Sequence, residues 1–341
     1  MKRIFPLLLV LAVLCIGCNG CHKTNKVASP KLTKEQKERI REVDVVFHRY
    51  EKDLFSLNLN QLSKGVESLY GKYPENLIAK DSWKNPEMIQ SLKGYLSDPT
   101  IKAVFKEVNS QYADMSDVQN SLSEAFKIYL SHFPDATIPQ FYTLVAGMNF
   151  EIPSVFGYGN DLFVCIDMYL GKDFKYYSLA GMPKFIAEKC DRKFLALDCF
   201  SKGMVYKHLP DKTPITSLDY MIEEGKKLFF TQVMFPNVKP QDIIGYADQK
   251  YDWATQYEKQ VWQHFIEKNM LYSKDEEIIR RLIDKTPFTS NFGDKSPGRL
   301  GAFIGWHIVS SYMQEHPETT LQQLFDMTDS QKLLTESLYK P

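Results

Sequence analysis

Histidine is scarce and badly spaced for metal chemistry. The seven histidines are His22, His48, His132, His208, His264, His307 and His316, and no two stand four residues apart. That spacing excludes a His-Glu-x-x-His helix, which needs two imidazoles on one face to hold a zinc ion. Past the amino-terminal segment, Cys165, Cys190 and Cys199 stand too far apart for a Cys-x-x-Cys pair, and no Cys/His cluster suggests structural zinc. A Gly-x-Ser-x-Gly nucleophile elbow, a phosphate-cradling glycine loop and a dinucleotide fingerprint are all missing. No motif calls for a cofactor. Charge of one sign is lacking too: 42 Lys and Arg balance 42 Asp and Glu. That balance argues against nucleic acid or an anionic membrane surface as a partner. Acid–base chemistry by two carboxylates needs no motif, and the sequence singles out no such pair.

What is present begins at the amino terminus. "MKRIFPLLLVLAVLCIGCNGC" has a basic start at Lys2 and Arg3 and an apolar run from Ile4 to Ile16. The run is too short for a permanent membrane span and fits a signal peptide. Gly17 before Cys18 resembles a bacterial lipobox, with Cys15 where leucine is usual. Residues 1–17 are therefore expected to be a lipoprotein signal peptide. Cys18 would carry diacylglycerol on its thiol and an acyl chain such as palmitate on its amine, and several chains anchor more firmly than one. Residues 18–40 read as the lipidated end and a polar tether. No acidic run follows Cys18, which favours the periplasmic face of the outer membrane.

Residues 41–341 read as a single domain, because no repeat or long linker forces a boundary. With 44% hydrophobic and 25% charged residues it has the makings of a large core. "VDVVFHRYEKDLF" (43–55) opens with β-branched residues and reads as a short strand. Helical patterns follow, such as Ile101, Val104, Phe105 and Val108 on one stripe. Up to about residue 182 the texture then turns to strands, "FYTLVAG", "PSVFGYG" and "DLFVCIDM". Helices are expected over 184–207, 215–234, 248–270, 275–285, 300–315 and 319–327. The order describes an α+β fold, predominantly helical, with a small sheet and a helical second half. In one unbroken helix, Cys190 and Cys199 would lie about 13 Å apart along the axis, too far for a disulfide.

"MIEEGKKLFF" (221–230) holds the most pointed question. On a helix, Glu223 faces solvent and Glu224 borders the apolar stripe. Glu223 can pair with Lys226 or Lys227, and Glu224 with Lys227, as i,i+3 and i,i+4 surface ion pairs. Gly225 costs roughly 1 kcal/mol in a helix interior relative to Ala, which suggests another helix packs close against it. Gly301 and Gly305, four apart, suggest the same. In "YDWATQYEKQVWQHFIE", Trp253, Glu258 and Trp262 form either part of an aromatic core stripe or an aromatic-lined groove for a peptide or glycan. Arg299 is a candidate for an acidic partner, most simply a salt bridge.

Several stretches together resemble the gliding-motility lipoprotein family of the GldB type. They are the lipobox, "VVFHRYEKDLF", "LFVCIDMYLG", "LDYMIEEGKKLFF", "KYDWATQYEKQVWQHFIEKNMLYS", "TPFTSNFGDKSPGRLGAFIGWHIVSSYM" and the ending "ESLYKP". The resemblance implies an envelope lipoprotein associated with gliding motility and linked export machinery, with protein partners and no known reaction. It also implies a distant similarity to zincin-type peptidases. There "DLFVCIDMYLG" would match the cleft-edge strand, and Glu224-Gly225 the third-ligand Glu-Gly, a vestigial metal position without its histidine pair. The expected role is a non-catalytic assembly or interaction component. The alternatives are a peptidase-like hydrolase with an unrecognised site and a glycan- or peptide-binding lipoprotein.

Overall fold

The computed structural model describes residues 27–341. The expected signal peptide and the expected lipidation position Cys18 lie outside the described residues.

The chain opens with helical pieces around a short first strand. These are α1 (Lys34–Arg41), β1 (Phe47–Arg49), α2 (Tyr50–Phe55), α3 (Leu62–Leu69), α4 (Pro86–Ser97), α5 (Pro99–Gln111) and α6 (Ser116–His132). Helices α4 and α5 begin where the sequence marks a start. Asn85 and Asp98 accept hydrogen bonds from the first-turn amides, and each is followed by proline at the first helical position. The strand expected over 43–55 is three residues long and turns helical at Tyr50. The side chains of α6 take the backbone of Val45: its amide donates to Ser123 Oγ and its carbonyl accepts from Gln119. Only Phe47–Arg49 pair with a neighbouring strand.

Strands β2 (Gln140–Leu144), β3 (Val155–Tyr158) and β4 (Asp161–Cys165) complete a mixed four-stranded sheet of order β1-β2-β4-β3. β1, β2 and β4 run parallel, and β3 runs antiparallel on the outer edge. The edge strands are therefore β1 and β3. "DLFVCIDMYLG", expected at the edge, supplies β4, which is covered on both sides. After Asp161 every residue of the strand is apolar and buried, as an interior position favours. The side chains alternate as a strand dictates. Phe141, Leu162 and Val164 enter the main core, while Tyr142 and Phe163 face a smaller core built with Leu62, Val66, Trp83 and Leu96.

The second half contains α7 (Lys175–Leu179), α8 (Lys184–Ala187), α9 (Leu195–Asp198), α10 (Ser217–Met234), α11 (Pro240–Ile244), α12 (Asp248–Gln256), α13 (Glu258–Glu267), α14 (Glu276–Ile283), α15 (Leu300–Glu315), α16 (Leu321–Asp326) and α17 (Ser330–Glu336). The fold is α+β and predominantly helical, as the sequence pattern indicates.

The helix expected over 184–207 is broken twice. The Cys190 carbonyl is taken by the Gly171 amide at 2.7 Å, and Asp191 caps a new turn by accepting from Lys193. After α9 the chain then widens into a π turn over Cys199–Gly203, followed by a tight 3-10 turn. Gly203 is pressed on the sheet: a Cβ there would lie 2.7 Å from Leu162 Cδ2. Cys165, Cys190 and Cys199 are buried free thiols. The helix expected over 248–270 divides at Tyr257, and the closing helix α17 carries too little periodic signal to be seen in sequence.

The centre of the second half is the crossing of α10 and α15. Both helices bury most of their residues, and two glycines let their backbones meet. A Cβ on Gly225 would stand 2.3 Å from the Gly305 carbonyl oxygen, and one on Gly305 1.8 Å from that of Met221. Gly301 likewise faces Leu282 of α14. The close approach inferred from the glycine pattern is what these helices do.

Candidate functional site

Beside the edge strand β3 lie two adjoining cavities of about 700 and 310 Å³. They share Lys189, Asp198, Lys202, Tyr206 and Lys285. The larger is bounded by β3, the loop before it and the apolar side chains of Phe150, Ile152, Phe156, Phe185 and Ile186. Glu224, Lys227 and Arg299 line the smaller.

The π turn sets the floor of the cleft. Asp198 closes α9 and Lys202 stands four residues later, and the two form an ion pair. Tyr169 donates to Asp198 Oδ2 at 2.7 Å and accepts from Ser154 Oγ at 2.9 Å, and Lys202 donates to the same Ser154 oxygen at 2.9 Å. This network ties the floor to Ser154, the residue that leads into β3. π turns inside helices recur at functional sites.

Glu224 stands on the wall. Its carboxylate accepts from Arg299 Nη2 at 2.6 Å and from Lys227 Nζ at 2.9 Å. Lys227 also pairs with Glu223 at 2.7 Å. Burial pushes the Glu224 carboxyl up, but Arg299 and Lys227 outweigh it and hold the group below its ordinary range. The position singled out as a vestigial metal ligand is thus occupied by two cations. Of the sequence expectations for these charges, the Glu224–Lys227 pair and the salt bridge at Arg299 are present. Lys226 instead turns inward and donates to the carbonyls of Phe325 and Met327 at the end of α16.

Cations crowd the cleft. The ion pairs engage Lys202, Lys227 and Arg299; among the described residues, Lys189 and Lys285 have no acidic partner. Burial pushes the Lys189 ammonium down to about 7, helped by the charges of Arg299, Lys285 and Lys202. Lys285 is pushed down to about 8, first by the charge of Lys202 and then by burial. Lys189, Asp198, Lys202 and Lys285 went unnoticed in sequence. The one local signal was the Asp198–Lys202 spacing of four on a helix, and Lys285 sits in a loop with none.

The other expected site residues are placed elsewhere. Glu258 accepts from His307 Nδ1 at 2.5 Å and from the Tyr339 hydroxyl at 2.7 Å, and the Trp262 ring meets Tyr339 edge-on with centroids 5.2 Å apart. Trp253 meets the tilted ring of Tyr257 with centroids 4.8 Å apart and reaches Phe292. Arg299 does not join this group, since it is held at Glu224. Neither cavity is lined by Trp253, Glu258 or Trp262. Among the described residues, no group of three or more His, Cys, Asp or Glu is placed to hold a metal ion, and no helix is long and apolar enough to cross a membrane.

A family model described as gliding motility protein GldB matches residues 31–341. The chain belongs to the GldB family. The match covers the whole described fold except its first few residues, so sheet, cleft and the α10–α15 crossing all fall within it. No curated protein and no solved structure matches this GldB-family chain.

Proposed function

We propose that this GldB-family protein is an outer-membrane lipoprotein, anchored through Cys18 and facing the periplasm, that serves motility and linked export machinery as a non-catalytic binding or assembly component. The family supplies the process, and the lipobox supplies the anchor. The observation that carries the non-catalytic part is the state of Asp198 and Glu224, the two carboxylates at the junction of the cavities. Asp198 is held by Lys202 and Tyr169, and Glu224 by Arg299 and Lys227. A carboxylate clamped by fixed cations is a poor metal ligand and a poor general base, because ligand exchange or proton uptake must first break the pairs. The cleft offers donors and positive charge, which suits recognition.

The test is metal analysis of the purified full-length protein together with a peptidase assay on a mixed peptide library. The expected result is no stoichiometric zinc and no cleavage. Tightly bound zinc that disappears in Glu224→Ala would overturn the non-catalytic reading. Co-purification from cross-linked envelopes identifies the partners.

A further inference from the structure

The larger cavity is walled by carbon and ends in charge. Phe150, Phe156, Phe185 and Ile186 are half-buried and Ile152 is exposed, so their side chains front about 700 Å³ of open space. Apolar surface left facing such a space favours a ligand that covers it. The wall runs directly into the lysines. Lys189 follows Phe185 by four residues, and its amide donates to the Ile186 carbonyl at 3.0 Å, so one turn carries both the apolar groups and an ammonium. The end of the Lys189 side chain is laid over Gly245: a Cβ there would stand 3.3 Å from Cε and 3.4 Å from Nζ. Lys189 lines both cavities and Gly245 the smaller, so this packing sets the ammonium where the two join. Lys202 donates to Ser154 Oγ, two residues before Phe156. The backbone of β3 adds little to such a site, because Val155 is completely buried.

Acidic side chains line the same cleft, and they leave cations in surplus where the cavities join. Asp198 is taken by Lys202 and Tyr169, and Glu224 by Arg299 and Lys227. Asp242 pairs with Lys193 at 2.6 Å. Glu151 and Asp284 are exposed; the first stands within the apolar wall and the second on the lining of the smaller cavity. Neither is among the charges that act most on the two lysines without an acidic partner. Those on Lys189 are Arg299, Lys285 and Lys202 against Asp198, and those on Lys285 are Lys202 and Arg299 against Asp198 and Glu224. In both cases the cations outweigh the carboxylates, so an anion among them relieves their mutual repulsion.

We propose that the larger cavity binds a single-chain anionic amphiphile, with its acyl chain along Phe150, Ile152, Phe156 and Phe185 and its head group held by Lys189, Lys202 and Lys285. This rests on the binding role proposed above and names a ligand class for it. The chain covers the carbon wall, and the head supplies the anion that Lys189 and Lys285 lack. Lys285 is exposed and Lys189 half-buried, so the head enters from solvent without opening the fold. A fatty acid and a monoacyl phosphate share this chemistry, and both are probed.

The experiment uses the full-length protein in phosphatidylcholine nanodiscs and decanoic acid carrying a diazirine near its methyl end. Labelled peptides are mapped by mass spectrometry, and free probe is counted after partition into empty nanodiscs is subtracted. Saturable labelling is expected within residues 150–157 and 185–189. Unlabelled decanoate should displace the probe at about tenfold lower free concentration than decanol, which has the same chain and no charge. From hexanoate to octanoate to decanoate, displacement should strengthen roughly tenfold for each two methylenes. Lys285→Met, alone and with Lys189→Met, should erase the preference for the acid while the cooperative thermal transition is kept. Ile152→Asp should weaken acid and alcohol alike. Decyl phosphate is run beside decanoate; whichever displaces the probe better identifies the head group, and both orders support the proposal. Absence of saturable labelling in those segments overturns it, and so does decanol matching decanoate. Acetate or inorganic phosphate competing as well as decanoate also overturns it, since the cleft would then be an anion site without a chain. These failures leave the non-catalytic reading standing. Catalytic hydrolysis of methyl decanoate by the same preparation would overturn that reading while leaving the binding site in place.

Discussion

The guanidinium of Arg299 donates to the carboxylate of Glu224 at 2.6 Å, joining the start of α15 to the middle of α10. Arg299 does this from a left-handed backbone with φ of 58°, a conformation that costs an L-residue roughly 1 kcal/mol. The pair sits where a metal-ligand reading of "MIEEGKKLFF" would place chemistry, and it turns that position into a structural clamp between the two central helices.

Breaking the clamp from one side should be destabilising. Arg299→Met leaves Glu224 with Lys227 alone, and a loss of about 1–3 kcal/mol is expected for a partly buried pair. Because the Glu224 carboxyl is held below its ordinary range, its contribution is present above pH 4.5 and is lost as the pH falls through that range. Urea denaturation of wild type and Glu224→Gln should therefore show a gap at pH 7 that narrows as the pH falls below 4.5 towards pH 3. A gap of the same size at both pH values would refute the assignment.

The helix crossing admits no extra atom. Gly305→Ala places a Cβ 1.8 Å from the Met221 carbonyl oxygen, and the helices must part. A cost of about 3 kcal/mol or more is expected, at or beyond the upper end of ordinary overpacking. Gly94→Ala on α4, where a Cβ meets nothing within 4 Å, should instead stabilise by up to about 1 kcal/mol. Melting temperatures of the two variants should move in opposite directions.

Lys189 weakens the fold at and below neutral pH. Its ammonium is pushed from 10.5 to about 7, so between those values the unfolded chain binds the proton and the folded chain does not. Stability therefore rises with pH across that window, and the penalty is greatest below pH 7. Lys189→Met should raise the denaturation midpoint clearly at pH 6 and little at pH 10. An equal gain at both would mean that packing, not charge, is responsible.

The anchor has its own measurement. Cys18→Ala should move the protein from the membrane to the soluble fraction and abolish incorporation of labelled palmitate. A variant that stays with membranes would show that Cys18 is not the anchor.

The legible parts of this chain were those written in local periodicity. Apolar stripes placed α10 and α15 to within two residues, the runs of β-branched and aromatic residues placed β2, β3 and β4, and Asn-Pro and Asp-Pro marked the starts of α4 and α5. Gly225, Gly301 and Gly305 announced close packing, because a missing side chain in a helix interior has few other uses. The segment 184–207 reads as one helix because its breaks are made by distant groups: Gly171 claims the Cys190 carbonyl, and the sheet presses on Gly203. The edge position that the resemblance implies for β4 fails because strand order is a long-range property that no stretch of ten residues carries.

By itself, then, the sequence determined an α+β, helix-rich chain with a lipobox-like start, no histidine pair and a tight glycine contact, since each of these depends on near neighbours or on simple counting. Only the tertiary structure decided what Glu224 faces. Arg299 is 75 residues away and Asp198 and Lys285 lie on other elements, so their charges converge only when the helices cross. A side chain's charge is set by its residue, but its task is set by what packing brings within a few ångströms of it.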